Sequence, residues 1–240
     1  MTTELYIRAR SREGRLLDDA VVAGLPEVPP DHPHAAEWRL RAGSCRRLLA
    51  ELRAQRRPLR VLELGCGNGW LAHRIAELPG SRVRGADVND VELEQARRVF
   101  GQRGNLDFVH HDMRRPELPM PTPDLLVLAS SVQYVEDTAP LIEAWLAALA
   151  PGGELHILDS PLYHLDEVAA AQERTLRHYA EIGVPEMAEA YHHHTWESLQ
   201  RFHLEVLHRP DASLARLRRR LLGGPSSPFP WIRIRKDAVR

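Results

Sequence analysis

The chain has 240 residues, enough for one α/β domain with an appendage, and its 43% apolar content supplies a sizeable core. A formal net charge of −1 argues against an affinity built on many phosphate contacts, so a nucleic-acid partner is not expected. Two cysteines offer no disulfide framework, Met1 to Arg10 holds no apolar signal core, and no apolar run is long enough for a bilayer, so a cytoplasmic protein without a membrane partner is expected.

Residues 1 to 58 precede the first core strand. Arg8, Arg10, Arg12 and Arg15 make the start basic. Val21, Val22 and Leu25 are apolar, and Pro26, Pro29, Pro30 and Pro33 then interrupt regular structure. From about Ala35 to Arg57 the pattern is helical. Trp38, Ala42, Cys45, Leu49 and Leu52 recur at spacings of three and four, giving one apolar face that Pro58 ends.

Val61, Leu62 and Leu64 form a short apolar run, as a strand buried on both faces would. Glu63 interrupts it. Gly65, Gly67 and Gly69 follow at alternate positions, and a helical pattern opens at Trp70, Leu71 and Ile75. Strand, glycine turn and helix make a nucleotide-binding corner, with the free N–H groups of the helix aimed at a ligand. A dinucleotide fingerprint fails from Gly65, because Trp70 stands where the third small residue should be. It passes weakly from Gly67 through Gly69 and Ala72. An acid at the strand end repels a pyrophosphate and suits a cationic ligand.

Glu63-Leu64-Gly65-Cys66-Gly67-Asn68-Gly69 resembles the first motif of the class I S-adenosylmethionine-dependent methyltransferases. The resemblance implies a doubly wound, seven-stranded, mostly parallel sheet over residues 59–240. It also implies an N-terminal helical lid over residues 1–58, with Tyr6 and its arginines as candidate contacts. Asp87 closes a second strand about twenty residues on, where an acid grips ribose hydroxyls. The alternative for Asp87 is a helix N-cap, a role that Asn89 or Asp90 can fill. Val88 would lie against the adenine. A third strand ends at His110 and His111, whose opposite faces disfavour a shared metal. In the family the acid after that strand takes the adenine amino group and its neighbour packs on the ring; Asp112 and Met113 match.

A fourth strand, Asp124 to Ala129, leads into Ser130-Ser131-Val132-Gln133-Tyr134. This loop resembles the family's fourth motif, with Tyr134 where a histidine is often found. The runs that mark methylation of planar amino groups and of pyrimidine C5 are absent. A helix over Pro140–Leu149, a turn at Pro151-Gly152-Gly153, a fifth strand to Asp159 and a helix over about Asp166–Ile182 follow. Phe202–Leu207 and Trp231–Arg235 alternate as two more strands. Between them, Leu214, Leu217 and Leu221 pattern a short helix whose other face, Arg216 and Arg218 to Arg220, is basic.

The expected ligand is S-adenosyl-L-methionine, held by Glu63, Gly65, Cys66, Gly67, Gly69, Asp87, Val88, Asp112, Met113 and Ser130. The expected reaction is methyl transfer to a small molecule, most readily at oxygen or nitrogen, with no metal. Tyr134, His192, His193 and His194 are the candidate catalytic groups, and at least one histidine is expected in the pocket beyond the methyl group. Rival readings are an RNA or protein methyltransferase, a nicotinamide-dependent oxidoreductase, and a nucleotide-binding domain without catalysis.

Overall fold

The computed structural model describes residues 2–210 and 227–236. Its helices are α1 (Thr3–Arg12), α2 (Asp19–Gly24), α3 (Ala35–Ala54), α4 (Trp70–Ala76), α5 (Asp90–Phe100), α6 (Thr138–Ala148) and α7 (Val168–Glu181). Its strands are β1 (Arg60–Leu64), β2 (Arg82–Asp87), β3 (Leu106–His110), β4 (Leu125–Ala129), β5 (Glu154–Leu158), β6 (Leu204–His208) and β7 (Trp231–Arg235). These strands form one sheet in the order β3-β2-β1-β4-β5-β7-β6. β1 to β5 run parallel, and β7 lies antiparallel between β5 and β6.

The period of two in a strand sorts the apolar residues onto the two faces. Val61, Val83, Leu125 and Val127 face one layer, where they meet Leu48 and Leu52 of α3, Ile75 of α4, and Leu93 and Phe100 of α5. Leu62, Leu64, Leu126, Leu128, Leu155, Ile157, Ile232 and Ile234 face the other, against Ile142, Trp145 and Leu146 of α6. Each fully buried side chain of this kind contributes roughly 1.5–3 kcal/mol. With both faces covered, β1 has no room for exposed residues. That is why its sequence is an apolar run broken only by Glu63.

The N-terminal segment divides in two. α2 and α3 join the first layer through Val22, Leu25, Trp38 and Leu49. α1, which the basic composition of the start does not announce, is capped by the Thr2 hydroxyl. Its Ala9 packs in a separate small cluster with Tyr179, Val184 and Met187, bordered by Leu5, Tyr6, Tyr134 and Tyr191. This arrangement places α1 over the carboxyl ends of the parallel strands. The last sequence-derived strand shifts slightly: residues 204–208 pair with β7 instead of 202–207, and Phe202 is buried ahead of the strand. The basic face at Arg216 to Arg220 lies outside the described residues. Among the described residues no helix is long and apolar enough to cross a membrane.

Candidate functional site

The parallel strands end at one place, and each delivers a group there. Gly69 begins α4 with φ 77°, and a Cβ at that position would run into the Phe108 ring of β3. Only glycine both turns the chain and lets the helix start this close to the sheet. Gly65, at φ 74°, carries the backbone past Met113, whose Cε a Cβ would meet at 2.7 Å. The glycine at 69 therefore shapes the corner from behind, while Gly65, Cys66 and Gly67 border a cavity.

Glu63 is 3% exposed at the end of β1. Burial pushes its carboxyl up to about 8, partly offset by a hydrogen bond from the Ala72 backbone N–H. Its Oε2 is buried and has no hydrogen-bond partner among the described residues. Asp87 closes β2. Its Oδ2 accepts the Gly67 N–H at 2.8 Å and its Oδ1 accepts the Asn89 N–H at 2.9 Å. Asn89, not Asp87, caps α5, its side-chain oxygen facing the N–H groups of Val91 and Glu92. Asp87 therefore braces the glycine turn from the neighbouring strand, and burial raises its pKa against those two bonds.

Two cavities open here. The smaller is lined by Gly65, Asp87, Val88, His111, Asp112, Met113, Ser130 and Ser131, with Thr3, Tyr6 and Tyr134 above. Asp112 turns its carboxylate to the Arg114 guanidinium, with an Nη2 contact of 2.6 Å that holds its pKa down. His110 and His111 part as expected: His110 pairs with Asp90 at 2.8 Å, and His111 borders the cavity with a buried, unpartnered Nε2. The larger cavity, of about 590 Å³, is reached by Glu63, Gly65, Cys66, Gly67, Glu92, Ser130, Gln133 and Asp159. Gly65, Ser130, Tyr6 and Tyr134 border both.

All five tyrosines of the sequence line the larger cavity: Tyr6, Tyr134, Tyr163, Tyr179 and Tyr191. Tyr134 meets Tyr6 edge-on at 5.7 Å and Tyr191 at 6.1 Å, and a hydrogen bond links its hydroxyl with that of Tyr179. Burial raises the pKa of Tyr134, so its hydroxyl is neutral near pH 7. α1 spans the mouth. Thr3 Oγ1 donates to the Val88 carbonyl at 3.3 Å, and Glu13 just past the helix pairs with His178 of α7 at 3.1 Å.

The histidine run does not reach the cavity wall. His194 is buried, with Nε2 on the Val132 carbonyl at 3.1 Å, and His193 pairs with Thr175 Oγ1 at 2.9 Å. His192 gives its backbone N–H to the Gln133 carbonyl. Burial lowers the pKa of both His193 and His194. The placement of a histidine in the pocket is therefore corrected: Tyr191, one residue earlier, faces the space, and His193 lies against its ring at 5.2 Å. Sequence reasoning also passed over Glu92, 6% exposed, which receives Asn89 Nδ2 at 2.8 Å and stands opposite Gly67. The spacing Asn-x-x-Glu at the start of α5, a capping-box pattern, is the signal that marks it.

Residues 61–153 match the family described as "Methyltransferase domain". The chain is 34% identical to trans-aconitate 2-methyltransferase of Streptomyces coelicolor over 147 residues, 54% of this chain and 48% of that protein. It is 34% identical to a ubiquinone/menaquinone biosynthesis C-methyltransferase of Pseudomonas putida over 119 residues, 48% of this chain and 46% of that protein. The chain thus spans about half the length of these relatives. The crystal structure of magnesium protoporphyrin IX methyltransferase from Synechocystis shares the fold, with a TM-score of 0.56 over 96% of this chain and 92% of that one at 12% identity. The corner at Glu63 lies inside the stretch that matches the methyltransferase domain, residues 61–153, and the sheet around it has the fold of the Synechocystis methyltransferase.

Proposed function

We propose that the protein transfers the methyl group of S-adenosylmethionine to a small-molecule acceptor. The observation that carries this reading is Glu63. A buried carboxyl with an unpartnered oxygen, raised to about 8 and facing a cavity, calls for a cation. The ammonium of the cofactor's methionine end supplies one, and a pyrophosphate does not. The bound cofactor provides an electrophilic methyl on a sulfonium; the chain's own residues bind, orient and exclude water.

In this reading Glu63 accepts the ammonium and the remaining lone pairs of Asp87 accept the ribose hydroxyls. Val88 and Met113 enclose the adenine, with Asp112 at its edge. Gly65, Cys66 and Gly67 give the ligand close approach to the backbone, and Gly69 acts indirectly by seating α4. Ser130 and Tyr134 stand at the junction of the two cavities, where the methyl is presented. Alignment of an acceptor there is worth on the order of 7–11 kcal/mol when the attack geometry is good. Tyr134, held neutral, acts as a hydrogen-bonding group toward the acceptor and not as a base. α1 serves as the cover.

Calorimetry with S-adenosylhomocysteine and with NAD tests the reading. The expected result is saturable binding of the first and none of the second. Binding of NAD alone overturns it in favour of an oxidoreductase.

A further inference from the structure

We propose that Asp159 is the acceptor-binding residue, and that it selects acceptors that present an N–H or O–H to it; this rests on the methyltransferase reading above. Asp159 ends β5 beside Ser130 at the end of β4. Both are non-glycine residues held in the left-handed region, at φ 52° and 55°. The Ser130 hydroxyl donates to the Asp159 carbonyl at 2.9 Å, locking the two strand ends together. Strained backbone of this kind persists where the surroundings over-determine it, and it turns the Asp159 side chain off the sheet toward the larger cavity, whose wall it forms.

The carboxylate is fixed on one side only. Its Oδ1 accepts the Ser44 hydroxyl of α3 at 2.7 Å and the Ser227 hydroxyl at 2.9 Å. Its Oδ2 has no hydrogen bond among the described residues. No cation lies within ion-pairing distance of it among them either. The guanidinium whose charge it feels, Arg47, gives its Nη2 to Ser44 Oγ at 3.1 Å instead. Two hydroxyl donors from separate segments thus aim a carboxylate that keeps one oxygen for something else. The tyrosine wall of the same cavity supplies hydroxyls and ring faces, with the Arg10 guanidinium over the Tyr6 ring at 5.7 Å and the Arg174 guanidinium bonded to Tyr163.

A carboxylate acceptor oxygen accepts a donor from amines, alcohols and phenols. Placed beside it, an ionised carboxylate is repelled, and a nucleophile without an N–H or O–H offers it no donor. For such an acceptor the step balances simply. The heteroatom's electron pair forms the bond to the methyl carbon, and the carbon–sulfur pair stays on sulfur. The proton leaves the heteroatom to Asp159 Oδ2 and passes to water.

Asp159→Asn is the informative variant. Asparagine tolerates the left-handed backbone, and its amide oxygen still accepts from Ser44 and Ser227, while the free position becomes a donor. The full chain is incubated with S-adenosylmethionine and a panel of small amines, alcohols, phenols, carboxylic acids and enolisable diketones, with products read by mass spectrometry. We expect methylated products from amines or hydroxyl compounds. We expect a KM for them at least tenfold higher in Asp159→Asn, with the melting temperature and the affinity for S-adenosylhomocysteine unchanged. Methylation confined to carboxylic acids or carbon, an unchanged KM in the variant, or no product from any compound while S-adenosylhomocysteine still binds would each overturn the assignment and leave the methyltransferase reading standing. Failure of the wild type to bind S-adenosylhomocysteine would overturn both.

Discussion

In the proposed reading, Glu63 ties cofactor binding to pH. With its carboxyl at about 8, the unliganded protein carries Glu63 about nine-tenths protonated at pH 7. Accepting an ammonium requires the carboxylate, and ionising it at pH 7 costs about 1.4 kcal/mol. The charge-assisted bond then contributes about 1.5–3 kcal/mol, so binding proceeds and expels close to one proton. Affinity should rise about tenfold per pH unit from pH 5 and level off at about 8, where Glu63 is ionised without the ligand. Calorimetry of S-adenosylhomocysteine at pH 7 in two buffers of different ionisation enthalpy reads the proton directly. The wild type should show nearly one proton released, and Glu63→Gln none, with a flat affinity profile. Equal enthalpies in the two buffers for the wild type, or equal release by the variant, would refute the ammonium assignment. The stability of the empty protein moves the opposite way. A carboxyl raised from 4.5 to about 8 by folding makes stability fall as pH rises through that window. Glu63→Gln should escape that fall and melt higher than the wild type above pH 8.

The other expectations follow from single contacts. Asp87→Asn removes a charge-assisted acceptor and should weaken S-adenosylhomocysteine binding by roughly 1.5–3 kcal/mol in a titration, with the circular dichroism spectrum unchanged. Gly69→Ala meets the Phe108 ring at φ 77° and should cost about 2–4 kcal/mol in urea unfolding; a loss below 0.5 kcal/mol would mean that the corner is not held as described. His194→Ala removes a buried ring and one of the two donors to the Val132 carbonyl, which keeps the Val135 N–H, and should cost about 1–3 kcal/mol of stability while leaving cofactor affinity alone. A selective loss of affinity there would return the histidine run to the site.

The parts of the site that were legible in the sequence are those packed into one short stretch. Glu63 and the three glycines sit within seven residues because one strand, one turn and one helix start make the corner. Asp87 was legible through the fixed length of one helix and one strand. The tyrosine wall was not. Its members come from α1, from the turn after β4, from the loop after β5, from α7 and from the segment beyond it, with no period to join them. The histidines misled for a related reason. Three adjacent side chains cannot all face one space on an extended segment. Here the main-chain bond from His192 to Gln133 sets a register that spends Tyr191 on the cavity and sends His194 inward. Asp159 read as an ordinary strand end, because only the folded partners Ser44 and Ser227 reveal what its carboxylate is doing.

The position of β7 bears on how the protein is made. Residues 231–235 are synthesised after every other described strand, yet they fill an interior place in the sheet, hydrogen-bonded to β5 on one side and β6 on the other. Ile232 and Ile234 are fully buried there. Until they emerge from the ribosome, β5 presents an unpaired edge and the second core layer lacks two of its side chains. Such an edge is a template for pairing with other chains. The nascent protein is therefore exposed to aggregation until β7 arrives, and the glycine corner, whose strands β1 and β2 are made long before, waits on a strand that lies outside it.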